Sequence, residues 1–163
     1  MQPILDWLEN LALSRFIVDT PLAFPVIECV HVLAITLVVG SIVIVDLRLL
    51  GIASSRRPVT ELAAEILPWT WGLFCLALLS GGMMFASNAG TYFFNTAFRF
   101  KMLCLALAGL NMLAFHLFTY RSVRNWDKDV PTVPAAKAAG ALSLSFWIGV
   151  VLFGRWIGFT IHN

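Results

Sequence analysis

Residues 22–47 read LAFPVIECVHVLAITLVVGSIVIVDL, and this stretch decides the fold. It contains no lysine or arginine, and it is longer than the roughly 20 apolar residues with which a helix crosses the hydrocarbon core of a bilayer. Three further runs of the same character follow, at about 66–86, 98–120 and 138–160. The sequence therefore predicts an all-α protein with four membrane-spanning helices.

The composition of the whole chain agrees with this interpretation. Of its 163 residues, 60% are hydrophobic and 12% are charged, whereas a soluble domain is about half apolar and a quarter charged. The net charge of +2 is small and the basic residues are scattered, so nothing indicates a nucleic-acid partner. We expect one transmembrane domain over 1–163, surrounded by lipid. Its short connections predict an up-down four-helix bundle.

Two of the three connections between the spans are rich in basic residues. They hold seven of the 11 lysines and arginines: Arg48, Arg56, Arg57, Arg121, Arg124, Lys128 and Lys137. Basic residues of short loops stay in the cytoplasm. The sequence therefore predicts a bacterial inner-membrane protein with both termini on the periplasmic side. The N-terminal region lacks the basic segment of a cleavable signal peptide.

The segment before the first span has a different pattern. Its apolar residues Ile4, Leu5, Leu8 and Leu11 recur at helical spacing, with polar residues largely on the other side. Trp7 flanks the apolar stripe, where an indole suits the headgroup level of a membrane. We expect a short amphipathic interfacial helix at about 3–15, lying on the outer membrane surface, where it either serves as a simple anchor or also caps one end of the bundle.

Ionisable residues inside a membrane are costly and usually face the bundle interior or water. Glu28 and His31 lie three residues apart, on one face of the first span and in its outer half. Arg99, Lys101 and Arg155 lie at the outer ends of the third and fourth spans. Three helices thus bring one histidine and four charges to the same level. We expect a binding site near the periplasmic face.

A b-type haem suits this group of residues. His31 is the candidate axial ligand, with Met102 among the methionines that could bind the opposite face. The three cations could pair with haem propionates, and Glu28 could fix the tautomer of His31. The leading hypothesis is a small haem-b protein for electron transfer or oxidoreduction. It leaves open whether the protein is a membrane oxidoreductase or an electron-transfer subunit, and it implies a redox protein or a quinone as partner.

His116 is the second candidate metal ligand, near the cytoplasmic end of the third span. Its depth in the membrane differs from that of His31 by roughly 15 Å if the spans are upright. One haem iron, with ligands about 2 Å away, would then not reach both histidines.

We expect His162 to be solvated, and Asp46 and Arg48 to form an interfacial ion pair or a helix cap.

Two other functions remain open. Soft sulfur ligands favour Cu(I), and the outer half holds such groups beside His31, so copper uptake or tolerance is one alternative. The candidate ligands are Cys29, Met83, Met84, Met102 and Cys104. The other alternative is a non-catalytic membrane subunit or assembly factor, whose polar residues are structural. Gly154 and Gly158 form a GxxxG pattern, which favours close helix packing within the chain or in a homo-oligomer.

Several stretches carry a family resemblance. ECVHVLA (28–34) and VDLRLLG (45–51) resemble an uncharacterised family of small four-span bacterial inner-membrane proteins. With FRFKML (98–103) and the last span, the chain is more distantly similar to the copper-resistance D membrane proteins and to the HemJ-type protoporphyrinogen oxidases. The HemJ-type proteins bind haem b and use a histidine and a lysine. The resemblance implies these roles for His31 and Lys101.

Overall fold

The computed structural model describes residues 1–53, 56–128 and 130–160, so the prediction for His162 lies outside the described residues. The described chain is helical and contains no strand. Its helices are α1 (Gln2–Glu9), α2 (Ala12–Asp19), α3 (Ala23–Leu50), α4 (Val59–Ser87), α5 (Ala89–Phe94), α6 (Thr96–Ala114) and α7 (Pro134–Thr160). A π-helical turn (Phe115–Thr119) and a 3₁₀ helix (Tyr120–Asn125) continue α6.

Four of these helices are long and apolar enough to cross a membrane: α3, α4, α6 with its extension to Asn125, and α7. Each contains one of the predicted spans, and the helices continue beyond the apolar runs into more polar sequence. Many large apolar side chains on them are exposed, as lipid contact requires. The protein is a multi-pass membrane protein, and the predicted four-helix fold is confirmed.

Neighbouring long helices run antiparallel. Hydrogen bonds join His31 to Ala77 near one end of the α3–α4 pair, and Thr70 to Ser41 farther along it. We call the end where α3 begins and α7 stops the termini end, and the opposite end the Arg48 end. Each connection is short, so the chain alternates between these two ends, as the up-down pattern predicts.

The four long helices do not form a closed square. α3 packs against α4 and α7, and α6 packs against α7, but α4 and α6 do not pack along their length. The space between them is the α4–α6 cleft. A stacked ring pair, Phe85 with Phe98 at 5.4 Å between centroids, closes the cleft at the termini end. Val38, Trp147 and Val150 are buried between α3 and α7 and form its floor.

The N-terminal segment forms two helices, α1 and α2, where one helix over about 3–15 was expected. The side chains at the break explain the difference, because they bond to backbone and to one another in competition with a continuous helix. The Asn10 amide donates to the Asp6 carbonyl and accepts from the Arg15 guanidinium. The Ser14 hydroxyl donates to the Leu8 carbonyl.

Both short helices cover the termini end of the bundle. Leu5 of α1 and Ile17 of α2 are buried there, while Trp7 remains exposed. The backbone amide of Gly90 donates to Glu9 over 2.8 Å and joins α1 to α5. The segment therefore has the amphipathic character that its sequence predicts, and it caps this end of the bundle while presenting an outward apolar face.

A buried arginine organises the opposite end. Arg48 is 2% exposed, and its guanidinium donates to the carbonyl of Arg57 over 2.8 Å and to that of Asp127 over 2.9 Å. A third bond, of 3.2 Å, reaches the hydroxyl of Thr132. The predicted ion pair with Asp46 is wrong, because residues two apart on a helix point to different sides. Arg48 instead binds the connections after α3 and α6 to each other.

Asp127 strengthens the same junction. Its carboxylate accepts from the Thr60 amide over 2.9 Å and from the Thr60 hydroxyl over 2.6 Å, at the start of α4. Partial burial alone would raise the pKa of Asp127, but the bonds from Thr60 and Val59 and the charge of Arg48 outweigh it and hold that pKa below its ordinary value. The negative charge of Asp127 therefore contributes to the stability of this junction.

We predict that Arg48→Lys destabilises the protein by about 3 kcal/mol, because one ammonium cannot serve three acceptors placed around a planar guanidinium. Thermal unfolding in nanodiscs, followed by tryptophan fluorescence, measures the change. Arg56→Lys, on the exposed surface beside it, is the matched control. Equal melting temperatures for the two variants would contradict the role given to Arg48.

Candidate functional site

His31 lies half-buried between α3 and α4. Its Nδ1 is 2.9 Å from the carbonyl oxygen of Ala77 and 3.1 Å from the hydroxyl of Ser80. A carbonyl oxygen is only an acceptor, so Nδ1 carries the proton and donates it. The hydroxyl of Ser80 donates to the carbonyl of Leu76 at 2.7 Å. Nε2 is therefore left with a bare lone pair, which is the form of histidine that binds a metal.

A glycine makes room for this ring. A Cβ added at Gly81 would lie 2.8 Å from Cε1 and 3.2 Å from Nδ1 of His31. The imidazole therefore rests on the backbone of α4 where a side chain is absent. The sequence places His31 on α3, but it contains no signal for the partners Ala77, Ser80 and Gly81, beyond the run of small residues in which the last two occur.

Lys101 is the other predicted site residue that is half-buried. Its side chain is half-buried and lies across Gly154 of α7, with Nζ 3.8 Å from the position of an added Cβ. A histidine of α3 and a lysine of α6 thus share the interior of the bundle, each lying over a glycine of a neighbouring helix.

The remaining predicted site residues are more dispersed. Glu28, Arg99, Met102 and Arg155 are exposed. Glu28 makes no hydrogen bond to His31 in the described structure, and its charge acts instead on Tyr92 of α5, whose pKa is raised by burial and by this carboxylate. The guanidinium of Arg155 lies 5.2 Å from the ring centroid of Phe159, as a cation–π contact.

Three of the soft candidate ligands for copper have different surroundings. Cys29 and Met102 are exposed on different helices, and the sulfur of Cys104 faces Gly149. Within residues 1–53, 56–128 and 130–160, no three His, Cys, Asp or Glu side chains are grouped as metal ligands. A metal at His31 would thus not find two further ligands of these types among the described residues.

A family model matches residues 21–160, and it describes DUF6644, a family of unknown function. The chain belongs to this family. The match covers all four spanning helices, including His31 and Lys101, and begins after α1 and α2. No curated protein and no solved structure matches the chain. Membership fits the expected uncharacterised family, and the likeness to the copper-resistance D and HemJ-type proteins remains a prediction.

In this DUF6644 protein, His116 lies in the opposite half of the bundle from His31. It belongs to the π-helical turn and lines a cavity that Asp46 also lines. Along α3, the rise from His31 to Asp46 is about 22 Å at roughly 1.5 Å per residue. The sequence-based expectation that the two histidines differ in depth therefore agrees with their surroundings in the structure.

We predict that Gly81→Ala lowers the melting temperature of this DUF6644 protein, because the new methyl group would push His31 off its two hydrogen bonds, at a cost of about 1–3 kcal/mol. Gly82→Ala, where an added Cβ meets nothing within 4 Å, should leave stability unchanged or raise it slightly. Thermal unfolding in nanodiscs compares them. Equal shifts for the two variants would refute the contact.

Proposed function

We propose that this protein binds haem b through His31 and serves in electron transfer or in the oxidation of a small hydrophobic substrate. The observation that carries the proposal is the state of the His31 ring. Its Nδ1 donates to the carbonyl of Ala77 and leaves Nε2 without a proton. Histidines that ligate metals almost always hold their second nitrogen in this way.

Two further features support this proposal. Arg99 and Arg155 lie on adjacent antiparallel helices at the termini end, where they could meet propionates. Beyond the Phe85–Phe98 pair that closes the termini end, α4 and α6 do not pack together, and this open side of the bundle would have to admit the flat group. Lys101 would lie inside with its ammonium beside the cofactor. Glu28 makes no direct hydrogen bond to His31 within the described residues.

When bound, the haem would supply one-electron chemistry. The protein's own contribution is more limited: Ala77 and Ser80 orient the ring of His31, and Gly81 lets it lie close to α4. The half-buried cation of Lys101 would attract an anionic group or an electron-rich substrate into the bundle. The apolar helices around both residues keep bulk water away from this level.

We also propose that the protein resides in a bacterial inner membrane with both termini in the periplasm. The support is the concentration of basic residues in the two connections at the Arg48 end, which the positive-inside rule assigns to the cytoplasm. The His31 site would then lie toward the periplasmic face, where a periplasmic redox partner could reach it.

Reporter fusions test this orientation. Alkaline phosphatase, active only in the periplasm, should be active when fused to the C-terminus and inactive when fused after Lys128. Green fluorescent protein, which fluoresces in the cytoplasm, should give the reverse pattern at the same two positions. An active phosphatase after Lys128 with a fluorescent C-terminal fusion would overturn the orientation.

The visible spectrum tests the haem proposal. The protein purified from haem-sufficient cells should show a Soret band, and His31→Ala should abolish it because the axial ligand is lost. His116→Ala is the matched control and should keep the band, since His116 lies in the other half of the bundle. Circular dichroism establishes that each variant is folded.

Metal analysis of the same samples separates the alternatives. One iron per chain with the band supports a haem protein, whereas copper without a band would favour metal uptake or tolerance. A folded protein with neither metal and with a co-purifying larger protein would favour an accessory subunit or assembly factor. Either of the last two results overturns the haem proposal.

A further inference from the structure

The half of the bundle toward the Arg48 end contains a cavity of about 170 Å³. Side chains of α3, α4, α6 and α7 line it, and several of them are aromatic: Trp71, Phe74, Phe115, Tyr120 and Trp147. An apolar cavity of about 150 Å³ takes up one benzene ring. The volume is also below the roughly 300–1,000 Å³ of sites for drug-sized ligands, so a porphyrin does not fit here.

The exposure of the lining residues shows where this cavity opens. Trp147 and Asp46, on α7 and α3, are only 7% and 5% exposed and form its back wall. Trp71 on α4 and Met112 on α6 are 49% and 40% exposed and form its rim. The mouth is therefore the α4–α6 cleft. Both helices span the membrane, so a ligand reaches the cavity sideways from the lipid.

Two polar side chains at the cavity have atoms that are free to form a hydrogen bond with a ligand. Nδ1 of His116 donates to the Met112 carbonyl over 2.9 Å, so its Nε2 is free to accept. In the back wall, the Asp46 carboxyl has Ser143 as a partner, yet its buried Oδ2 has no hydrogen bond within the described chain. The π-helical turn places His116 at this cavity, and such turns occur frequently at functional sites.

We propose that this cavity binds a lipid-soluble molecule with a single hydroxylated aromatic ring, which enters between α4 and α6 and donates a hydrogen bond to Nε2 of His116. The ring fits the volume and the aromatic wall, and its hydroxyl can donate a hydrogen bond to Nε2 of His116. The site is separate from His31 and does not depend on a bound haem. A phenol or the head of a hydroquinone has this chemistry.

Two brominated probes test the proposal on the full chain in nanodiscs. 4-Bromophenol and bromobenzene have nearly the same shape, and bound bromine quenches the fluorescence of Trp71 and Trp147. We expect saturable quenching, with 4-bromophenol bound about fivefold more tightly, the ratio that one ordinary hydrogen bond produces. His116→Phe should erase this preference while keeping the bromobenzene affinity, and His31→Ala should change neither.

A second pair of variants tests the location without touching the polar groups. Gly109 lines the cavity on α6 and Gly72 lies outside it on α4, and an added Cβ meets nothing within 4 Å at either position. Gly109→Leu should block the mouth and abolish saturable quenching by both probes, whereas Gly72→Leu should not. Three results would overturn the proposal. The first is quenching no greater than the partition of the probe into the lipid, measured with empty nanodiscs, accounts for. The others are equal affinity for the two probes and full binding by Gly109→Leu.

Discussion

The guanidinium of Arg48 lies between the two connections at one end of the bundle and is shared by both. A buried cation is tolerated only when its donors are satisfied, and here two carbonyls and a hydroxyl from separate stretches of chain satisfy it. These acceptors fix how the connection after α3 meets the connection after α6. Because α4 begins at that junction, through Thr60 and Asp127, the direction in which α4 leaves it is fixed as well.

This constraint matters because the long helices are tied unevenly elsewhere. They form two hairpins, α3 with α4 and α6 with α7, joined mainly where α3 meets α7. Gly140 allows that contact to be close, since a Cβ there would lie 3.1 Å from the backbone oxygen of Asp46. The outer helices α4 and α6 remain apart and leave the cleft. His31 and Lys101 in one half, and the small cavity in the other, depend on this open arrangement.

Hydropathy predicted the four spans, their bundle and the depth difference between His31 and His116, because lipid imposes length and polarity directly on the sequence. It did not predict which faces meet. The rotation of α3 against α4 decides that His31 lies against Ser80 and Gly81 and that Glu28 is exposed. Neither helix encodes this rotation alone. The break at Asn10 depends on a few side-chain hydrogen bonds. They compete with the continuation of α1 as one longer helix.

Arg48 shows the same limit from another side. From the sequence, the charge of Arg48 indicates the orientation of the protein in the membrane and predicts an ion pair with Asp46. Its burial, however, depends on loops that close around it only in the folded chain. Its acceptors are mostly backbone carbonyls. Because every residue has a backbone carbonyl, residue type does not predict which ones will accept from Arg48. Positions where side chains meet backbone are therefore the ones that pattern analysis misses here.

The meeting of α3 with α7 also bears on how the protein is made. α7 is the last of the four spans to leave the ribosome, yet it covers Asp46, which α3 brings into the membrane first. Until α7 arrives, this carboxyl group faces lipid or the translocation machinery, where a polar side chain is costly. A chain that stops short of α7 therefore keeps this carboxyl group exposed within the membrane, without the contacts that Gly140 and Ser143 give Asp46 in the complete bundle.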